Sequence, residues 1–170
     1  MIPKTLTITE RQILANQFRI LSKLENDTEY YEKRAEIVEN GYTGQYGEVF
    51  LVDQEETDYN ICRETHDILN MFRYISNAIG NLTDEEKESL DLDKLTFKGF
   101  DANNDQHYHY TSFMIEKQGK WAEHKEMYHN SHSSMTISRY RKMLPVYKKV
   151  LDSNRYDFNF DDLKGLISVQ

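Results

Sequence analysis

Five of the chain's six histidines fall within residues 107–132, in the run HYHYTSFMIEKQGKWAEHKEMYHNSH. Imidazole nitrogens bind Zn²⁺ and related ions, so the run raises the hypothesis of a metal-assisted hydrolase. Its ligands would be His124, His129 and His132, with Glu126 as the base. However, the spacing matches neither H-E-x-x-H nor C-x-x-C, and NSHSS is typical of a loop. We therefore predict a solvated or hydrogen-bonded histidine cluster with no metal and no cofactor, and keep the hydrolase as the alternative.

Two further pairs have spacings that suggest reactive chemistry. His107 and His109 form an H-x-H pair, but residues two apart on a helix point about 200° away from each other, and only a strand would align them. Cys62 and His66 are four residues apart on one face of a predicted helix. A Cys-His dyad needs a thiolate and a base that converge, whereas neighbours on one helix lie side by side. We expect neither pair to be a reactive centre.

The loop DANND, residues 101–105, resembles the first half of a calcium-binding EF-hand loop. Gln106 stands at the sixth position, where such a loop has Gly, and Ser112 at the twelfth, where it has Glu. We therefore expect turn chemistry in place of calcium binding, with Asp101 or Asn103 bonding backbone amides. Both residues are also candidates for ligand binding.

The segment from Ile137 to Leu151 contains five basic residues and no acidic one. The basic residues are Arg139, Arg141, Lys142, Lys148 and Lys149. A basic amphipathic helix of this kind can contact RNA, DNA or an anionic surface. We favour a solvated face whose positive charge is balanced by the acidic run from Asp84 to Asp93, and keep nucleic-acid binding as an alternative. Arg139, Arg141 and His132 complete the set of candidate binding residues.

Composition limits the classes of partner. A formal net charge of -8 opposes general binding to nucleic acid, because that binding depends on phosphate neutralisation by Lys and Arg. The longest apolar run, Val49 to Val52, is far shorter than the ~20 residues of a membrane span, and the N-terminus has no apolar signal segment. The single cysteine, Cys62, excludes an internal disulfide, and we expect its thiol to be buried. We predict a cytoplasmic protein without membrane contact.

Helical periodicity dominates the chain. Thr7 with Glu10 and Thr9 with Gln12 both have capping-box spacing before an apolar stripe, and Asp27 or Thr28 can cap a second helix that Gly41 ends, so a helical hairpin is predicted. The stripe is Ile13, Leu14, Phe18, Leu21 and Leu24. Thr83 and Glu86 have the same capping-box spacing before a short helix. A long central helix is predicted over Thr57–Leu82, where apolar residues recur at alternating steps of four and three.

Three later features are also expected from the sequence. Asn103 or Asn104 caps a helix that ends near Gly119, and Pro145 bends or divides the last strong helix. The tail over residues 153–170 folds back as a short amphipathic segment.

Five blocks of the sequence resemble, in order, the YfbU family of bacterial proteins. The blocks are ERQILANQFRIL, ENGYTGQY, CRETHDILNMFR, TFKGFDANND and SRYRKML. The similarity covers about residues 5–150. The resemblance implies a mostly helical, cytoplasmic bacterial protein and no established catalytic residue, substrate or cofactor. The chain departs from the family pattern at His107, His109 and His129, so the resemblance implies no shared site there.

These observations together predict a mainly α, single-domain helical bundle over residues 1–170, with a long central helix and short extended segments near 95–100. The many aromatic residues and the wide apolar face of the central helix favour a homo-oligomer, with a dimer as the first choice, and another protein partner remains an open alternative. Without a convincing catalytic set, we predict a binding or regulatory module.

Overall fold

The computed structural model describes residues 2–52, 56–130 and 136–170, and these are mainly α-helical, as predicted. The chain divides into two compact units, Met1–Glu56 and Thr57–Gln170. A single domain over the whole chain stays a prediction. His132, one of the candidate binding residues, lies outside the described residues. No helix in the described ranges is long and apolar enough to cross a membrane.

The first unit is built on the predicted helical hairpin. Helix α1 spans Ile8–Leu24 and begins with a complete capping box between Thr7 and Glu10. Helix α2 spans Thr28–Asn40, is capped by Asp27 and ends at Gly41 in the left-handed conformation. A 3-10 turn follows, and the core of the unit lies between these elements. Its buried apolar residues are Ala15, Ile37, Val38, Tyr46 and Val49.

The predicted apolar stripe of α1 is only partly correct. Ile13 and Leu24 are exposed, and the fully buried positions of the helix are Ala15 and Ser22. The Ser22 hydroxyl lies on the side of α1 that meets α2 and donates to the Glu32 carboxylate at 2.7 Å. Ser22 thus lies where the two helices meet, with its hydroxyl hydrogen-bonded, while three apolar side chains of α1 point outward. We call Ile13, Ile20 and Leu24 the exposed α1 face.

The second unit packs around the predicted central helix. This helix, α3, spans Tyr59–Gly80 and buries its apolar seam, and it is followed by helix α4 at Asp84–Glu88, whose capping box at Thr83 is also confirmed. A 3-10 turn covers Leu92–Leu95. The deepest α3 residues are Ile68, Leu69, Met71, Phe72 and Ile75.

Three more α-helices follow in the described part of the unit: α5 at Gln106–Ser112, α6 at Thr136–Asp152 and α7 at Phe160–Ser168. A π-helical turn at Phe113–Lys117 continues α5, and a 3-10 turn covers Ala122–His124. Pro145 does not divide α6, because buried side chains on both sides of the proline keep the two halves in one packed helix. Helix α7 is the predicted amphipathic tail, and it buries Leu163 and Leu166.

A pair of two-residue strands joins distant parts of this unit. Strand β1, Phe100–Asp101, runs parallel to β2, His129–Asn130, with Phe100 opposite His129. Gly99 precedes β1 with φ +76°, and a Cβ there would lie 2.7 Å from the Tyr128 carbonyl oxygen. The backbone therefore approaches β2 closely because residue 99 has no side chain. The predicted extended segment near 95–100 corresponds to this strand.

Candidate functional site

Two acidic residues of α3 face two basic residues of α6 across a cleft. Glu64 and Asp67 are three residues apart and share one face of their helix, and Arg141 and Lys148, seven apart, share one face of theirs. Arg141 pairs with Glu64, and Lys148 pairs with Asp67. Arg141 and Lys148 on the basic face of α6 thus pair with acidic residues of α3. The predicted pairing with the acidic run Asp84–Asp93 was wrong for these two residues.

Glu64 is the centre of a three-residue cluster. The Arg141 guanidinium donates through Nε and Nη2 to the two carboxylate oxygens, both at 2.9 Å, and His107 Nε2 lies 2.8 Å from Oε2. Charge-assisted bidentate geometry of this kind is both strong and directional. The Arg141 hydrogen bonds, with a smaller contribution from His107, hold the pKa of Glu64 below its usual value despite partial burial. The cluster joins α3, α5 and α6.

His107 is a buried member of this cluster, with its ring stacked on Phe100 at 5.4 Å between centroids. Its second nitrogen, Nδ1, is buried and has no hydrogen-bond partner among the described residues. Of the two states predicted for the histidine cluster, the hydrogen-bonded one describes His107, and the solvated one does not apply to His107 or to His124, which is fully buried. As predicted for a helix, His109 points elsewhere and is exposed. Since neither nitrogen of His107 faces solvent, this imidazole positions Glu64 and is not an accessible base.

Asp67 and Arg63 lie four residues apart on α3, but they do not pair with each other. The Asp67 carboxylate instead lies 3.1 Å from Lys148 Nζ, and the Arg63 guanidinium donates to the Asn60 side chain at 3.3 Å. Within the described residues Arg63 has no carboxylate partner, although it lines the cleft. In the part of the chain that the structure describes, no acid therefore neutralises this guanidinium.

The cleft has a volume of about 310 Å³ and a mixed lining. Ile61 and Leu144 provide apolar surface between the charged pairs. Among the described residues that line it there is no Ser, Thr, Cys or His. The lining can therefore bind charged and apolar groups of a ligand, and it contains none of the usual hydroxyl, thiol or imidazole catalysts.

The other candidate binding residues mostly have structural contacts. Asp101 is buried, and its carboxylate accepts the Asn103 backbone amide at 2.8 Å and the Asn104 side chain at 2.9 Å. This is the expected Asx turn, but the caps predicted at Asn103 or Asn104 were wrong, because α5 begins after Asp105. Arg139 donates to the Thr96 carbonyl at 2.9 Å. Of the candidates, Arg141 lines the cleft.

The histidines proposed as metal ligands have other contacts. His124 Nε2 lies 3.4 Å from the Leu69 carbonyl oxygen, and burial lowers the pKa of this imidazole. His129 is exposed, and its Nδ1 lies 2.9 Å from the Tyr108 hydroxyl. Within residues 2–52, 56–130 and 136–170, no group of three or more His, Cys, Asp or Glu side chains is arranged to hold a metal ion.

The Cys62 and His66 side chains do not form the dyad that their spacing suggests. His66 Nε2 lies 2.9 Å from the Tyr110 hydroxyl, and its ring is stacked on Tyr110 and tilted against Trp121, at centroid distances of 5.5 and 5.1 Å. Burial is the main cause that lowers the pKa of His66. Cys62 is half-buried, so its expected full burial was wrong. His66 is therefore held by aromatic packing and a phenol.

A family model for the YfbU domain matches residues 4–168. The chain belongs to the YfbU family. The match extends the resemblance seen in the sequence over nearly the whole chain, including α7. Family membership assigns no catalytic residue, substrate or cofactor here, so we infer the function from the cleft between α3 and α6. Sequence reasoning had singled out Arg141 there but had missed Glu64 as its partner.

Proposed function

We propose that this chain is a cytoplasmic, homo-oligomeric binding module that takes its ligand in the cleft between α3 and α6. The observation that supports this proposal is the pairing of Glu64 with Arg141 and of Asp67 with Lys148 across an open cleft. The two basic side chains are half-exposed, at 53% and 54%, so a ligand can reach them. Half-exposed ion pairs contribute only about 0–1 kcal/mol, and a ligand group can replace one at little cost.

Binding fits this site better than either alternative function. A hydrolase needs a base or nucleophile at the ligand; the described lining contains no Ser, Thr, Cys or His, and its two carboxylates, Glu64 and Asp67, are each paired with a base of α6. Nucleic-acid binding needs free cations, yet on α6 Arg139, Arg141 and Lys148 already contact protein acceptors. Among the described contacts of this helix, only Lys142 and Lys149 of its basic residues lack such an acceptor. Two lysines can neutralise only a few phosphates, so they support only weak binding to nucleic acid.

Thermal stabilisation by a library of metabolites tests the proposal. Three proteins are compared: the unchanged chain, Arg63→Gln in the cleft, and Lys142→Gln on the exposed side of α6 as the matched control. We expect at least one compound that raises the Tm of the unchanged chain and of Lys142→Gln, but not that of Arg63→Gln. A library without any stabilising compound, or one whose compounds stabilise Arg63→Gln equally, contradicts binding in the cleft.

The exposed α1 face supports the homo-oligomeric part of the proposal. Ile13 and Ile20 are seven residues apart and therefore lie on one side of the helix, with Leu24 beside them. A two-fold axis near Asn16 and Gln17 would place Ile13 of one copy against Ile20 of an antiparallel second copy, and the same contact would repeat on the other side of the axis. Such self-complementarity is what a two-fold interface requires.

Light scattering of purified protein tests this part separately. We expect a mass of twice 20.3 kDa for the unchanged chain and 20.3 kDa for Ile20→Glu. The control is Tyr156→Glu, which places the same charge at another exposed apolar position. A monomeric unchanged chain, or a dimer that Ile20→Glu leaves intact, contradicts the use of this face.

A further inference from the structure

We infer that the ligand of the cleft between α3 and α6 is a small zwitterion, a molecule with one amine and one carboxylate. The inference rests on the proposed function, because it names the chemical class that the same cleft would bind. Three features of the cleft support it: the different burial of the acidic and basic side chains, the hydrogen-bonding positions that these side chains leave unused, and the apolar surface between them.

The two signs of charge lie at different depths in the cleft. The side chains of Glu64 and Asp67 are 22% and 27% exposed, whereas those of Arg141 and Lys148 are 53% and 54% exposed. The acids therefore form the floor and the bases form the rim. An amine that enters the cleft meets carboxylates at the floor, and a carboxylate on the same molecule stays near the guanidinium and ammonium groups of the rim.

Both ends of such a ligand find bonding capacity that the protein does not use. Lys148 is the only described partner of the Asp67 carboxylate, which has two oxygens and about four acceptor positions. Arg63, on the same helix, has several donors and no carboxylate partner among the described residues. Asp67 can thus accept the ligand amine while Arg63 binds the ligand carboxylate, and neither existing ion pair has to break.

The lining also argues against singly charged ligands. Three bases and two acids give the charged lining a net charge of 3 - 2 = +1. An amine alone would be repelled by Arg63 and the rim bases, and a carboxylate alone would be repelled by the two acids of the floor and would leave the free acceptor positions of Asp67 unfilled. Ile61 and Leu144 can cover a short carbon chain between the two ends. A neutral molecule with separated charges satisfies all of these groups.

Isothermal titration with matched small molecules tests the inference. The zwitterions are glycine, β-alanine, 4-aminobutyrate and 6-aminohexanoate, which differ only in chain length, and the singly charged analogues are butyrate and butylamine. We expect at least one zwitterion to bind tenfold or more tightly than both analogues. Asp67→Asn should weaken that zwitterion about tenfold and leave butyrate unchanged, and Lys142→Gln should change neither.

The other outcomes overturn the inference in distinct ways. Butyrate binding as tightly as the zwitterions would mean a site for anions, and butylamine doing so would mean a site for cations. If no zwitterion binds but the metabolite library yields a compound whose effect Arg63→Gln abolishes, the class of ligand is wrong and the proposed function stands. If the library also yields none, both fail.

Discussion

Replacing Glu64 by Ala should destabilise the second unit mainly through His107, and only slightly through Arg141. The Arg141 side chain is 53% exposed, so loss of its ion pair costs about 0–1 kcal/mol. His107 is 3% exposed and would keep a buried Nε2 without its partner, which costs about 1–3 kcal/mol. Glu64→Ala should therefore lower the free energy of unfolding by about 1–4 kcal/mol in all.

Urea unfolding at pH 7.5, followed by circular dichroism, measures this difference. Arg141→Ala isolates the ion pair and should cost at most about 1 kcal/mol. Glu64→Gln keeps an oxygen that can accept from His107 and should recover much of the loss. If Arg141→Ala costs as much as Glu64→Ala, or if Glu64→Gln is as unstable as Glu64→Ala, then the hydrogen bond to His107 is not the main contribution of Glu64 to the free energy of unfolding.

The same carboxylate gives an expectation for acid pH. Its pKa in the folded state lies below the ordinary value of 4.5, so the unfolded chain takes up the proton first as the pH falls. The stability that Glu64 contributes is fully present above about pH 4.5 and is lost as the pH falls through the lower folded-state pKa. Glu64→Gln should remove this part of the acid sensitivity.

Three further predictions concern the second unit. Burial lowers the pKa of His124 from 6.5, so the unfolded state gains the proton first as the pH falls. The free energy of unfolding should therefore decrease as the pH drops below about 6.5. Between pH 7.5 and 5.5, this decrease should be smaller for His124→Phe. Gly119→Ala adds only a side chain at positive φ and should cost about 1–2 kcal/mol, whereas Gly99→Ala also places Cβ against a carbonyl oxygen and should lower the Tm clearly more. Phe100→Ala should cost about 3–5 kcal/mol because its ring is fully buried, against about 0.5–2 for Asp101→Ala; equal losses would contradict the larger packing contribution expected of the Phe100 ring.

Local signals explain the parts of the fold that the sequence predicts well. The caps at Thr7, Asp27 and Thr83 depend on residues two or three positions apart, and the left-handed stop at Gly41 depends on one residue. The long seam of α3 is also a local pattern. Each feature is fixed by its neighbours in the sequence, so sequence reasoning can find it.

The predictions that failed concern features that only tertiary contacts determine. The buried side of α1 carries Ser22, whose hydroxyl bonds Glu32 ten residues away, and a hydrophobic stripe alone does not predict this partner. The sequence left open whether the histidines are solvated or hydrogen-bonded; His107 is buried, packs on Phe100 and reaches Glu64 across 43 positions. Distant partners of this kind leave no periodic signal.

The candidate site was half predictable for the same reason. The basic face around Arg141 was visible as a spacing of seven along one helix, and so were the acids on α3 at a spacing of three. The sequence contained another acidic run, Asp84–Asp93, and charge patterns alone could not choose between the two. The packing of α6 against α3 makes that choice, and it creates the cleft.

NMR of the arginine Nε–H groups in ¹⁵N-labelled protein tests binding in the cleft most directly. The titrant is the compound that most raises the Tm in the metabolite screen. We predict that the Arg63 and Arg141 signals shift together, with one Kd, while the Arg155 signal, from a guanidinium paired with Asp162 away from the cleft, stays in place. Unchanged Arg63 and Arg141 signals at saturation, or a shift confined to Arg155, would contradict the account.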